Sequence, residues 1–169
     1  AAYASVGRML GNKWTLKLGL RGEYTYALGD WITTKKVTTK NYFNLFPTVF
    51  VGYNPSANWR LNLSYTSRIG RPSFSQLNPF RNYIDANSYV EGNPDLDSQL
   101  SRQMALSVTF KNHYNLALIY AHTRNLIMQD PYYDETGTKI LLWENFGNQY
   151  MLGGSLSVSE LPVTEWLYF

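Results

Sequence analysis

Trp14-Thr15-Leu16-Lys17-Leu18-Gly19-Leu20-Arg21-Gly22-Glu23-Tyr24-Thr25-Tyr26 is the stretch that decides the fold. Alternate positions read Trp14, Leu16, Leu18, Leu20, Gly22, Tyr24 and Tyr26. The intervening ones read Thr15, Lys17, Gly19, Arg21, Glu23 and Thr25. A β-strand points successive side chains to opposite faces, so this is one long strand with an apolar and a polar face. The same period returns along the chain. Trp59, Leu61, Leu63, Tyr65 and Ile69 alternate with Arg60, Asn62, Ser64, Thr66 and Arg68. Met104, Leu106, Val108 and Phe110 alternate with Gln103, Ala105, Ser107 and Thr109, and Tyr114, Leu116, Leu118 and Tyr120 continue the series. Tyr150, Leu152, Leu156 and Val158 alternate with Met151, Gly153, Ser155 and Ser157. A less regular strand covers Tyr42 to Tyr53, and the Pro47 inside it implies an edge, a bulge or a strand start. No segment repeats at 3.6 residues, so the expectation is an all-β chain of about eight strands.

The connections sharpen this. Short ones fall near Leu10–Lys13, Asn54–Asn58, Lys111–His113 and Glu160–Thr164. Long ones fall near Ala27–Asn41, Gly70–Gln99 and Asn125–Trp143. Short and long alternate throughout. In a meander every second connection lies at the same end, so one end has tight turns and the other long loops. That is the layout of an antiparallel up-and-down transmembrane β-barrel, with short periplasmic turns and long extracellular loops. The second loop is too long to be structureless in a compact domain, and loops of that size are usually functional.

The aromatic residues then find a place. Trp14, Trp59, Tyr114 and Trp166 mark short-turn ends, while Tyr24, Tyr26, Tyr65 and Tyr120 sit toward long-loop ends. Rings at both ends of an apolar stripe match the interfacial girdles of membrane barrels. Trp14 to Tyr24 spans about 33 Å along the strand, or about 25 Å vertically after a tilt near 40°, the height of a membrane band. Trp59 to Tyr65 spans only about 20 Å along its strand. The opposite face carries Lys17, Arg21, Glu23, Arg60, Asn62 and Arg68, which suit a wet lumen. A soluble β-sandwich with the rings in its core would alternate in the same way. It gives no reason for loops sorted by end.

Composition excludes other classes. The chain has 169 residues and no Cys, with aromatic and charged residues each at 16% and a mean hydropathy of −0.32. So many rings exclude a disordered tail. The lack of Cys excludes a disulfide scaffold and a thiolate zinc site. There is no apolar run long enough for a transmembrane helix. A net charge of +3, scattered apart from a small group at Lys35, Lys36 and Lys40, does not make a nucleic-acid groove, so no nucleic acid is expected as partner. Ala1-Ala2-Tyr3-Ala4-Ser5 has no basic region before an apolar run, so no signal peptide is visible there.

The second loop carries the most distinctive words. Leu63-Ser64-Tyr65-Thr66-Ser67-Arg68-Ile69-Gly70-Arg71-Pro72-Ser73-Phe74-Ser75-Gln76-Leu77-Asn78-Pro79-Phe80 leads to Glu91-Gly92-Asn93-Pro94-Asp95-Leu96. These runs resemble the barrel of TonB-dependent outer-membrane receptors, in the outer membrane protein β-barrel family, with its "Y-S-R-R-I-x-R-P-S-Y-x-x-L-N-P-F" and "E-G-N-P-x-L" motifs. Lys111-Asn112-His113-Tyr114 and Asn145-Phe146-Gly147-Asn148 are similar too. The resemblance runs from about residue 12 onward, and Thr66-Ser67-Arg68 departs from the usual Ser-Arg-Arg. It implies a barrel of about twenty-two strands closed by a plug. It also implies uptake of a scarce large solute, powered by the TonB complex acting through that plug. No plug and no TonB box are visible, and Phe169 falls five residues into a strand begun at Glu165. The expectation is therefore residues 1–169 as part of a single outer-membrane barrel domain, incomplete at both ends. Its partners would be outer-membrane lipid, the rest of its own barrel and plug, and TonB through the plug. The alternative is a complete, closed eight-stranded barrel with a structural or adhesive role. An isolated wall segment should aggregate in water, because its sheet edges and lipid-facing side are uncovered.

Candidate ligand contacts lie in the same loop. Arg68, Arg71 and Arg81 could pair an anionic ligand, and Phe74, Phe80, Tyr83 and Tyr89 could line a recognition surface or pack the loop upon itself. Asn93, Asp95 and Asp97, with Glu91 nearby, could hold calcium, although Asn-Pro-Asp is also an ordinary turn. No metal or cofactor is expected. Asp134-Glu135-Thr136-Gly137 reads as a hairpin tip with Gly at positive φ. A hydrolase would need a nucleophile held on a His. His122 with Ser67 or Asp130 has no motif behind it, so no enzyme is expected.

Overall fold

The computed structural model describes residues 1–31, 36–159, 162–164 and 167–168. Seven long strands form one antiparallel sheet: β1 (Ala2–Leu10), β2 (Trp14–Trp31), β3 (Lys36–Ser56), β4 (Trp59–Gly70), β7 (Gln99–Phe110), β8 (Tyr114–Arg124) and β11 (Asn148–Val158). They lie side by side in that order, so each neighbours its predecessor among the wall strands. Between them come a single helical turn, α1 (Phe74–Leu77), and four short strands: β5 (Asn82–Asp85), β6 (Ser88–Glu91), β9 (Ile127–Tyr133) and β10 (Lys139–Asn145). A two-stranded pair, β12 (Pro162–Thr164) and β13 (Leu167–Tyr168), follows. Among the described residues the large sheet thus has seven strands. The eighth was expected from Glu165, and residues 165, 166 and 169, with the girdle position Trp166, lie outside the described residues.

The register keeps the two faces apart. Leu18 pairs with Val49, Leu63 with Val51 and Leu106, and Leu118 with Leu106, so the apolar positions of adjacent strands share one face. That face is bare: Leu152 is 83% and Leu156 74% exposed, and Leu18, Leu63, Leu116 and Leu118 are also exposed. Among the described residues the buried hydrophobic ones are Phe46, Tyr89, Leu96, Ala121 and Ile140. A soluble sandwich buries such a face against a second sheet. Here no described residue packs a second sheet over it. Among the described residues β1 pairs only with β2 and β11 only with β8, so the described sheet is open at both edges.

The short turns are tied to one another. The Asn54 N–H donates to Lys13 O (2.8 Å), Lys111 N–H to Asn58 O (2.7 Å) and Ser159 N–H to His113 O (3.0 Å). Lys111 and Asn112 both take positive φ, which the tight reversal between β7 and β8 requires. At this end the register aligns rings across strands. Trp14 stacks on Tyr53 at 4.0 Å, and Trp59, Phe110 and Tyr114 form a row with centroids 4.5 and 6.1 Å apart.

The first long connection differs from expectation. Positions 27–41, read as a loop, are mostly strand: pairing runs from Ala27↔Lys40 up to Trp31↔Lys36. Val37, Thr38 and Thr39 are β-branched and extend the hairpin past the apolar band. Pro47 has a clear effect. It pairs with Leu20 on β2, but the ladder to β4 stops one residue short of it, at Thr48↔Thr66. Proline has no N–H to give, so beyond it β3 is an edge strand held by β2 alone.

The other two long connections are not separate loops. β6 from the second pairs in parallel with β10 from the third, giving a four-stranded sheet in the order β5-β6-β10-β9. Its turns are fixed by carboxylates. Asp85 accepts from Asn87 N–H and the Ser88 hydroxyl at 2.7 Å each. Asp134 Oδ1 accepts from the backbone N–H of Thr136 and Thr138 and from the Thr136 hydroxyl. Gly137 sits at φ 80°, as the hairpin-tip reading expected.

Candidate functional site

The second long connection folds back over the polar face of the wall, past its own strands, to β3 and β2. Two contacts fix it. Arg71 Nη2 reaches Glu23 Oε2 at 2.6 Å and Thr25 Oγ1 at 2.9 Å, both on the polar face of β2. Lys40, on the same face of β3, donates to Asp95 O at 3.1 Å, to Leu96 O and to Asp97 Oδ1 at 2.9 Å. The Tyr42 hydroxyl lies 2.8 Å from Ser98 Oγ, and Leu96 is almost wholly buried. These anchors fall where β3 has lost β4, so the loop occupies the side that Pro47 opens.

Within the loop, α1 begins with a capping box, in which the Gln76 side chain accepts from Ser73 N–H at 2.8 Å. Gly92 N–H then donates to Asn78 O (3.1 Å) and Asn93 N–H to Gln76 O (2.7 Å). A Cβ at Gly92 would stand 2.2 Å from Asn78 O, so only glycine permits this crossing. The two motifs of the loop are thereby held against each other by backbone contacts.

Between loop and hairpin lies a cavity of about 330 Å³. Its walls are mostly apolar, from Ala27, Leu28, Pro72, Leu77, Pro94 and Leu96, with Phe74, Tyr42, Arg71 and Lys40 at its border. Ligand pockets run from about 300 to 1,000 Å³, so this one has the volume of a small ligand pocket. The Glu23 carboxylate raises the Arg71 guanidinium above its ordinary value, so that group stays charged at the border.

The sequence candidates divide. Arg71 and Phe74 come together at the cavity. Arg81, Tyr83 and Tyr89 form a second group on the short sheet. There Arg81 lies 4.8 Å over the Tyr89 ring, its Nε is 3.2 Å from Glu91, and Tyr83 meets Tyr89 at 5.6 Å. Tyr89 is buried, so it packs the loop rather than presenting itself. Phe80, next to Arg81 in the chain, is exposed, and Arg68 is exposed on the polar face of β4 opposite Ser101, away from the cavity. Lys40, Tyr42, Thr25 and Leu96 were not singled out as ligand contacts. Lys40 had been read only as one of a basic group, of which Lys35 lies outside the described residues.

The calcium reading of the loop carboxylates is not met. Asp97 is paired with Lys40, Glu91 with Arg81, and Asn93 Oδ1 accepts from Asp95 N–H at 2.9 Å in an ordinary turn. Among the described residues no three metal-ligating side chains come together. His122 stacks flat on Tyr150 at 4.6 Å and its Nε2 has no hydrogen-bond partner, so neither Ser67 nor Asp130 is held against it.

A wall of this design, with its bare apolar side and its inward-folded loop, can be compared with known proteins. The model of the outer membrane protein beta-barrel family matches residues 1–169, the whole chain rather than the part from residue 12. The chain belongs to that family. Its place is the outer membrane, its apolar face turned to lipid and its polar face to the barrel interior. No curated protein matches it. Among solved structures it is similar to the siderophore receptor PirA from Pseudomonas aeruginosa. The TM-score is 0.70 at 17% identity, over 96% of this chain and 31% of that one. It is similar also to a double mutant of the Serratia marcescens hemophore receptor HasR in complex with HasA and heme (0.68, 14%, 93% and 31%). A third is the FrpB iron transporter from Neisseria meningitidis (0.59, 15%, 91% and 22%). At such identities the likeness is one of fold. The family member described here spans less than a third of each of these chains, as one arc of wall.

Proposed function

We propose that this chain is wall and outer loops of a TonB-dependent receptor that imports a scarce, large solute, of the iron-chelate or heme class. The observation that carries the reading is the second long loop. It is pinned by Arg71 and Lys40 to the interior face and leaves a cavity there instead of standing free in solvent. A loop so placed can contact solute entering the barrel mouth. Arg71, Phe74 and Tyr42 are its contact residues at the cavity, and Arg68, Phe80, Arg81 and Tyr83 offer charge and rings further out. The rings at the short turns, with Tyr24, Tyr26, Tyr65 and Tyr120 toward the loops, serve as interfacial girdles. The rest of the barrel, a plug and the TonB complex would supply closure and energy coupling. The domain then extends over all of residues 1–169.

The test is uptake. A strain deleted for the gene and starved of iron is offered radiolabelled iron as a panel of ferric chelates and as heme. One of these should enter only when the intact gene is returned, and Arg71→Ala with Phe74→Ala should raise the concentration needed. Uptake of the whole panel at the parental rate in the deleted strain would sink the proposal.

A further inference from the structure

Apart from Arg8, which lies opposite Leu16 close to the short turns, the lipid-facing side of the wall is apolar up to its loop end, where β7 and β8 turn basic. Arg102 and His122 are direct cross-strand partners, and Arg124 is two residues beyond His122 on the same face. That face is the outer one, because it continues Met104, Leu106, Tyr120 and Leu118. Counted from Tyr114 at the short turn, Arg124 stands about 33 Å along the strand, about 25 Å in height, at the upper border of the apolar band. His122 and Arg102 stand one strand repeat lower, within reach of that border for a long side chain.

Among the described residues no carboxylate is paired with either arginine. β4, β7, β8 and β11 contain no Asp or Glu at all. Among the described residues neither guanidinium has a hydrogen-bonded or ion-paired side chain, and both are exposed. His122 is held flat by Tyr150, and its Nε2 is shut from solvent without a partner. Same-face neighbours across a strand pair stand about 5 Å apart and diagonal ones about 7–8 Å, a spacing one phosphate can bridge. Lipid-facing charge is tolerated only close to the interface, where an anion is at hand.

We propose that the loop-end rim of β7 and β8 binds the headgroup phosphate of an anionic lipid in the outward-facing leaflet. Arg102 and Arg124 are its two charged donors, and His122 lies between them. Arginine suits the role because its planar fork bonds phosphate through two N–H groups at once.

The test uses the full-length receptor in neutral detergent, its thermal unfolding followed as lipid is titrated in. Phosphatidylglycerol should raise Tm, while phosphatidylcholine and inorganic phosphate should not. Arg102→Gln with Arg124→Gln should need at least about tenfold more phosphatidylglycerol for the same rise. Arg60→Gln, which removes a charge from the interior face at the other end of the wall, should leave the titration unchanged. Gel mobility with and without boiling confirms that each variant is folded. Equal titrations for the double variant and the parent would overturn the proposal. So would an equal rise with inorganic phosphate, which would make this a free-anion site and no lipid site.

Discussion

The seven-stranded wall and the four-stranded loop sheet are both β-structure, yet they are held by opposite means. Wall strands are long, antiparallel and regular, and their large apolar side chains lie bare on one side. Loop strands are short and include the parallel pair β6–β10. Of the five buried hydrophobic residues among those described, Tyr89, Leu96 and Ile140 belong to the long connections. The wall depends on lipid and neighbouring strands for its burial. The loop sheet makes its own small core and fixes its turns with side-chain hydrogen bonds. Damage should therefore stay in the region where it is made.

The largest effect should follow Gly92→Val. Its Cβ has no room beside Asn78, so the two loop motifs should separate, at a local cost of about 3 kcal/mol or more. Limited proteolysis should then cut within residues 71–98 of the protein, while the wall keeps its heat-resistant gel mobility. If the wall were lost as well, the two regions would be one cooperative unit. Next comes Leu106→Arg, at mid-height on the lipid face, which should cost about 2–4 kcal/mol in urea unfolding from vesicles. Gln103→Arg, on the interior face of the same strand, should cost under about 1 kcal/mol. Similar costs would show that the faces are not lipid and lumen. Ile140→Ala, in the loop core, should loosen only the loop sheet, by about 2 kcal/mol read from hydrogen exchange of β6 and β10.

The smallest effect is that of acid. The Ser88 hydroxyl and Asn87 N–H hold the Asp85 carboxyl below its ordinary value, and the Thr136 hydroxyl with the Thr138 N–H does so for Asp134. A lowered folded value means that the stabilisation is present above the ordinary carboxylate range. It is lost as pH falls through the folded value. Protection from hydrogen exchange at residues 85–91 and 133–139, corrected for the intrinsic rate at each pH, should fall below about pH 4 and change little between neutral and pH 5. Equal acid sensitivity in β2 or β8 would blur the contrast.

The same division explains what could be read in advance. Wall strands were legible because lipid on one side and water on the other force a strict period of two. Pro47 signalled an edge, and the ladder to β4 ends beside it. The upper hairpin was missed because Gly29, Asp30, Thr38 and Lys40 are common in loops, and beyond the lipid no apolar stripe is needed. The β6–β10 pairing was illegible. Ser88-Tyr89-Val90-Glu91 and Lys139-Ile140-Leu141-Leu142 are too short to show a period, and they meet across a long stretch of chain. At the cavity, Arg71 and Phe74 were found from the loop's own composition. Lys40, Tyr42 and Leu96 were not, because their importance comes from a fold-back that no local pattern encodes.

The parallel pairing of β6 with β10 also bears on how the cell surface would be seen from outside. An antibody or phage that grips that sheet reads two segments belonging to different connections. A synthetic peptide copying either one would lack its neighbour strand and present the wrong surface. Immunisation with such peptides should raise sera that recognise the denatured protein and ignore intact cells.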